Sequence, residues 1–166
     1  MSTSRPATRV ICCSAFAACT LLLATLLFTP DALAADWPQL MGASQNGTST
    51  ETGLMSKWGT GKDGPRRVWK RKLGGGFSSI AAAGGKLFTL YSSGTVEFAT
   101  AIEAKTGNEL WRRALGSIFE DSMGGDGPRS TPTIQGSTAY VFGAKGTLAA
   151  LDVKTGKPHW TREAAR

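Results

Sequence analysis

The residues best equipped for chemistry in this chain cluster between Ser117 and Arg129, where Phe119, Glu120, Asp121, Gly124, Gly125, Asp126, Gly127 and Arg129 fall together. Glu120 and Asp121 are candidate ligands for a hard cation such as Ca²⁺, which takes roughly six to eight oxygens. Arg129 is a candidate contact to a bound anionic group, since a guanidinium matches a carboxylate or phosphate through paired N–H bonds, and Asp126 is a candidate cofactor contact beside it. The spacing does not follow the EF-hand loop, and the simpler reading is a Gly-rich loop held by an internal Asp126–Arg129 pair. Other chemistries lack their residues. His159 is the only histidine, so no Ser/His/Asp set can form around a second base. Its counterpart in an internal repeat is Leu110, which marks His159 as a surface residue. Gly74-Gly75-Gly76 lacks the Gly-Lys-Ser/Thr of a phosphate loop and precedes a strand pattern, not a helix. Asn46-Gly47-Thr48 matches the glycosylation pattern, a short and weakly specific one.

The elements that must hold this loop are short strands. Glycine accounts for 21 of 166 residues, well above the usual share of roughly 7%. Charged residues are 19% and apolar residues 41%, which excludes coiled coils, helical bundles and disorder. The first segment stands apart. Arg5 and Arg9 precede an almost wholly apolar run from Val10 to Phe28, and Pro30 and Ala32-Leu33-Ala34 come after it. Small residues at Ala32 and Ala34 suit signal peptidase, so residues 1–34 read as an export leader cleaved after Ala34. A retained membrane anchor is the alternative, because the run just reaches the length of a span. A lipid-modified Cys19 fits less well, since the apolar run continues beyond it. Cleavage removes Arg5, Arg9 and Asp31 from 19 basic and 12 acidic residues, leaving 17 and 11 and a net charge of +6. It also removes Cys12, Cys13 and Cys19, so the exported part has no disulfide, thiol nucleophile or Cys-based metal site.

An internal repeat organises the chain beyond the leader. Ala101-Ile102-Glu103-Ala104-Lys105-Thr106-Gly107-Asn108-Glu109-Leu110-Trp111 aligns with Ala150-Leu151-Asp152-Val153-Lys154-Thr155-Gly156-Lys157-Pro158-His159-Trp160 at an offset of 49. Upstream, Ala83–Phe88 aligns with Ile134–Ala139 at an offset of 51, which places two extra residues in the first copy around Ser92 to Phe98. Trp69-Lys70-Arg71-Lys72-Leu73-Gly74 echoes the segment at Trp111, so Trp69, Trp111 and Trp160 lie 42 and 49 apart. Strand-rich repeats of this length point to propeller blades. The pattern predicts strands at 79–83, 86–91, 98–104 and 109–115, then 131–134, 138–142, 148–153 and 158–162, with a final strand of an earlier unit near Trp69. Gly107 and Gly156 supply the positive φ of a tight turn. Asp152 is placed to accept turn N–H groups, and Glu103 makes a weaker cap at the matching position. The three tryptophans offer large faces to wedge between neighbouring blades.

Leu151–Trp160 resembles the repeat of the pyrroloquinoline-quinone (PQQ)-like β-propellers, a superfamily that includes quinoprotein alcohol dehydrogenases and a non-enzymatic outer-membrane protein assembly factor. Asp36-Trp37-Pro38-Gln39, Glu51-Thr52-Gly53-Leu54, Trp58 and Gly125–Thr133 resemble an exported bacterial subfamily. The resemblance covers most of residues 36–162. Met41, Ala43 and Gln45 depart from its more Arg- and Pro-rich head. It implies an all-β propeller of four-stranded blades. Residues 35–65 then form a lead segment and 66–166 hold two to three blades, fewer than the roughly four to eight that close a propeller. The chain therefore reads as the N-terminal part of a longer propeller, the other blades coming from a missing C-terminal part or another chain. A small domain completed by oligomerising is the alternative.

Two functions fit that reading. One is a non-catalytic scaffold in the periplasm or cell envelope, binding proteins or polymers, with no cofactor of its own. The other is the N-terminal part of a PQQ- and calcium-dependent dehydrogenase acting on an alcohol, sugar or polymer. Under the second, the residue types of the loop would give Asp126 and Arg129 to the quinone and Glu120 and Asp121 to the metal. Quinoprotein alcohol dehydrogenases commonly carry adjacent cysteines, which the exported part lacks. The densest basic run is Arg66 to Lys72; a nucleic-acid role needs a basic stripe with stacking aromatics, and export argues against one, so no nucleic-acid partner is expected. No membrane span is expected after leader cleavage.

Overall fold

The computed structural model describes residues 34–54 and 57–164. The expected leader, Ala34 apart, lies outside them. The described chain forms two four-stranded antiparallel sheets. The first contains β1 (Ala81–Ala83), β2 (Lys86–Ser93), β3 (Val96–Glu103) and β4 (Glu109–Ser117), and the second β5 (Thr133–Gln135), β6 (Thr138–Phe142), β7 (Thr147–Asp152) and β8 (Pro158–Glu163). Each sheet is a meander in chain order, the arrangement of a propeller blade.

One continuous apolar layer joins the blades. Ala81, Phe88, Leu90, Ala99, Ala101, Trp111 and Leu115 of the first meet Ile134, Ala139, Val141, Ala149 and Leu151 of the second. Alanines between the large residues keep the layer thin, and alternation along each strand sends these side chains to one face. The head of the described chain pins the first strand of each blade. Trp37 exchanges backbone hydrogen bonds with Ala82 at 2.7 and 2.8 Å, the Asp36 carboxylate accepts from the Gly84 N–H at 3.0 Å, and the Pro38 carbonyl accepts from Ile134 at 2.8 Å.

The pairing registers correct the sequence alignment by one residue. Lys86 pairs with Glu103 and Thr138 with Asp152, so with Glu103 and Asp152 equivalent, Lys86 corresponds to Thr138 at an offset of 52. Gly84 and Gly136 then share the same turn position, with φ of 55° and 57°. The first copy holds three extra residues in its β2–β3 hairpin, not two. A bulge recurs where the alignment without gaps expects it. Trp111 and Glu109 pair with consecutive residues of β3, as Trp160 and Pro158 do with β7. Leu110 and His159 are therefore the extra, outward residues, and both are exposed.

The expected strand around Trp69 is the second correction. Residues 66–74 form no strand and belong to neither sheet. The segment is anchored in other ways. Gly75 and Ser92 exchange backbone hydrogen bonds at 2.7 and 3.0 Å. A Cβ on Gly74 would lie 1.5 Å from the Ser92 carbonyl oxygen, so the Gly74-Gly75-Gly76 run serves close backbone approach.

The two Thr-Gly turns share one backbone scheme. Gly107 N–H donates to the Glu103 carbonyl at 2.8 Å and Gly156 N–H to that of Asp152 at 2.9 Å. Their caps differ. Asp152 Oδ1 accepts from the Lys154 N–H, the Thr155 N–H and the Thr155 hydroxyl at 3.1, 2.8 and 2.7 Å. Glu103, one methylene longer, accepts only the Thr106 hydroxyl. The Thr155 hydroxyl first, then the Thr155 and Lys154 N–H groups, hold the Asp152 carboxyl below its ordinary range. A carboxyl lowered on folding stabilises above its unfolded pKa, roughly 3.9, and loses that contribution as pH falls through the folded value. The stability gap between the wild type and Asp152→Ala is therefore expected to be open at pH 7 and to close at acid pH. Urea midpoints at both pH values check this, and an equal gap would refute it.

Candidate functional site

The β4–β5 connection, which contains the candidate residues, is folded around Arg129. The Arg129 guanidinium donates to the carbonyls of Gly127 at 3.1 Å and Gly125 at 2.8 Å, and to Asp121 Oδ2 at 3.1 Å. Its planar head also lies over the rings of Phe119 and Phe77, 4.9 and 5.5 Å from their centroids, a favourable stacking for a weakly hydrated cation. The Phe77 N–H donates to the Pro128 carbonyl at 2.8 Å, tying the loop to the segment after Gly76.

The carboxylates are engaged in the same way. Asp121 Oδ1 accepts the Met123 N–H at 3.0 Å, and Asp126 Oδ1 accepts the Asp121 N–H at 2.9 Å. The N–H groups of Met123 and Gly124 are the main cause of a lowered Asp121 pKa, with the Arg129 charge a smaller one. The internal ion pair of the loop is thus Arg129–Asp121, and the expected Asp126–Arg129 pair does not form. Asp126 instead closes the loop through a backbone N–H. Glu120 is exposed beside them. Among the described residues, no three His, Cys, Asp or Glu side chains converge as a metal cage. Three of the five Arg129 N–H donors, both oxygens of Asp121 and Oδ1 of Asp126 are engaged within the loop.

The loop borders two adjoining clefts. One, of about 450 Å³, is lined by Phe119, Asp121, Arg129, Ser130, Phe142 and Ala144. The other, of about 540 Å³, runs past Phe119 and Phe142 to Lys145, Gly146 and Ala164. Lys145 Nζ donates to Ser117 Oγ at 3.1 Å. The clefts therefore present two phenylalanine rings beside Arg129, Asp121 and Lys145.

Sequence reasoning passed over Glu97. Its side chain is 1% exposed, at an inward position of β3. Oε1 accepts the Phe119 N–H at 3.1 Å and Oε2 the Ala144 N–H at 2.9 Å. One carboxylate thus joins the first blade, the candidate loop and the β6–β7 hairpin of the second. The available signal was an acidic residue in the otherwise apolar alternation of Val96–Ile102.

The tryptophans and turn glycines come together across blades. Trp69 Nε1 donates to the Ala104 carbonyl at 2.8 Å, and Trp111 Nε1 to that of Val153 at 3.1 Å. Ala104 and Val153 are equivalent positions in the two turns. A Cβ on Gly107 would lie 2.6 Å from the Trp69 ring, and a Cβ on Gly156 2.6 Å from the Trp111 ring. Each indole therefore lies flat on the Thr-Gly turn of the next unit.

No curated protein matches the chain. Among solved structures, BamB from Moraxella catarrhalis is 24% identical with a TM-score of 0.40, over 55% of this chain and 23% of that one. A europium-containing methanol dehydrogenase is 25% identical with a TM-score of 0.38, over 51% and 15%. A quinohemoprotein alcohol dehydrogenase from Comamonas testosteroni is 22% identical with a TM-score of 0.40, over 55% and 13%. The chain thus spans less than a quarter of each of these proteins. Residues 57–166 match the family described as outer membrane protein assembly factor BamB. With its repeated four-stranded sheets and indole-capped turns, the chain belongs to this family of PQQ-like repeat β-propeller proteins.

Proposed function

We propose that this chain contributes two adjacent blades to a non-catalytic propeller scaffold of the cell envelope, which binds proteins or polymers through loop surfaces. The observation that carries the reading is the closed hydrogen bonding of Arg129, Asp121 and Asp126, which leaves the candidate loop as a braced surface. A family described as an outer membrane protein assembly factor supports an envelope role, and so does the leader-like sequence of residues 1–34. The clefts beside Phe119, Phe142 and Lys145 suit apolar or anionic segments of a partner. Among the described residues no helix is long and apolar enough to cross a membrane.

The competing reading is a quinoprotein dehydrogenase part. A quinone site depends on preorganised groups converging on the cofactor, and here the polar groups converge on one another. Titration of the purified chain with PQQ and Ca²⁺, followed by dye-linked assays over several alcohols, separates the two. No saturable micromolar binding and no turnover are expected. Saturable binding with turnover that Asp126→Ala abolishes would overturn the scaffold reading.

A further inference from the structure

The segment after Trp69 and the first blade enclose a pocket of about 270 Å³ whose lining includes Arg71, Lys72, Gly74, Tyr91, Glu109 and Arg112. Both of its walls are fixed. On one side, the close approach of Gly74 to the Ser92 carbonyl and the paired backbone bonds of Gly75 and Ser92 hold Arg71 and Lys72 beside β2. On the other, Phe98 stacks on Tyr91 with centroids 5.6 Å apart, and the Arg112 guanidinium lies over the Phe98 ring at 5.5 Å. The Tyr91 phenol first, and then the Glu109 charge, raise the Arg112 pKa. The cations exceed the acceptors that the pocket gives them. Arg71 donates to the Gly107 carbonyl and to Glu109 Oε2, both at 3.2 Å. Arg112 Nε comes only within 3.9 Å of Glu109 Oε1, beyond hydrogen-bond range. Lys72 forms no ion pair among the described residues. Three cations therefore face one carboxylate, an excess of +2.

We infer that the pocket between Arg71, Lys72 and Arg112 is a binding site for a phosphate group. A phosphate monoester carries roughly −1.5 to −2 charges at pH 7 and three strong acceptor oxygens. That charge matches the excess in the pocket, and three oxygens suit donors arriving from two walls. A carboxylate brings one charge and two oxygens. Arg112 offers a planar fork of donors and Lys72 a compact point charge, while the Tyr91 hydroxyl is a further donor. The Arg112 side chain is 60% exposed, so a ligand reaches it from solvent, and its stacking on Phe98 sets the fork in place before binding. The phosphate can come from a soluble ester or from a lipid headgroup, which share this chemistry. The pocket shares no lining residue with the clefts at Phe119 and Phe142, so the inference goes beyond the scaffold reading and stands apart from it.

The test titrates the full chain with inorganic phosphate and follows the side-chain Nε–H signals of Arg71 and Arg112 and the Gly74 amide by NMR. Saturable shifts at all three are expected. Arg112→Gln should weaken binding by about tenfold or more, since it removes charge-assisted hydrogen bonds. Arg112→Lys should fall between the two, because it keeps the charge and loses the fork. Lys72→Gln should weaken binding by a smaller factor. Arg113→Gln removes the same charge one residue further along β4, outside the pocket lining, and should leave the affinity unchanged. Phosphatidylcholine vesicles with and without phosphatidic acid separate the sources. Capture that needs both phosphatidic acid and Arg112 assigns the site to a lipid headgroup, and saturable phosphate binding without capture assigns it to soluble esters. The inference fails if the phosphate shifts rise without saturating, if acetate or chloride reproduces them at the same concentrations, or if Arg113→Gln weakens binding as much as Arg112→Gln. Saturable PQQ binding with turnover would refute the scaffold reading and leave this result standing.

Discussion

Gly156→Ala is expected to lower stability by about 2–5 kcal/mol, from a left-handed backbone cost of roughly 1–2 kcal/mol and an overpacking cost of roughly 1–3 kcal/mol. Gly156 has φ of 67°, and an added Cβ would lie 2.6 Å from the Trp111 ring. The ring has little room to retreat, since Trp111 packs against Phe88 and its Nε1 is bonded to the Val153 carbonyl. Gly136→Ala separates the two costs. Its φ is 57°, yet nothing lies within 4 Å of the added carbon, so only the backbone cost of roughly 1–2 kcal/mol applies. Urea denaturation at constant m-value measures both variants. Equal losses at the two positions would show that the indole does not rest on the turn.

Glu97→Ala is expected to be comparably damaging, by roughly 2–6 kcal/mol, because two part-buried N–H groups each lose an acceptor at a cost of up to about 1–3 kcal/mol. Glu97→Gln should recover little of this, since one side-chain oxygen is replaced by an NH₂ facing a donor. Faster amide exchange at Phe119 and Ala144, ahead of global unfolding, is the local signature to seek. Unchanged protection at both amides in Glu97→Ala would sink the account of a carboxylate bridging the blades.

Much of the blade architecture was legible because it is written in local chemistry. Thr-Gly steps fix the turns, alternation fixes the strand faces, and a shared bulge preserves the ungapped match from Ala101 to Trp111 and Ala150 to Trp160. The alignment slipped at Gly84 and Gly136 because two adjacent glycines, Gly84 and Gly85, offer the same residue type at both turn positions. Only hydrogen-bond register chooses between them. The segment at Trp69 was read as a strand from its likeness to Trp111, but that likeness belongs to the seat of the indole on the Thr-Gly turn, which needs no ladder. In the candidate loop the residue types were right and the pairing was not. Asp121 and Asp126 both lie within reach of Arg129 along the chain, and the path of the backbone through Gly124 and Gly125 decides which one meets it. Glu97 was illegible for a different reason: its partners are backbone N–H groups 22 and 47 residues away, which no sequence pattern announces.

The dock of Trp111 on Gly156 also has a direction. Each unit gives an indole from one face and receives one on the other, so the contact is heterologous and carries no two-fold axis. Such contacts build either closed rings or open arrays, according to the rotation each one imposes. The number of units in a ring is then set by the angle between successive sheets. Substitutions in the thin alanine layer at Ala99, Ala101, Ala139 and Ala149 would change that angle, and with it the closure of the ring, without touching a ligand site.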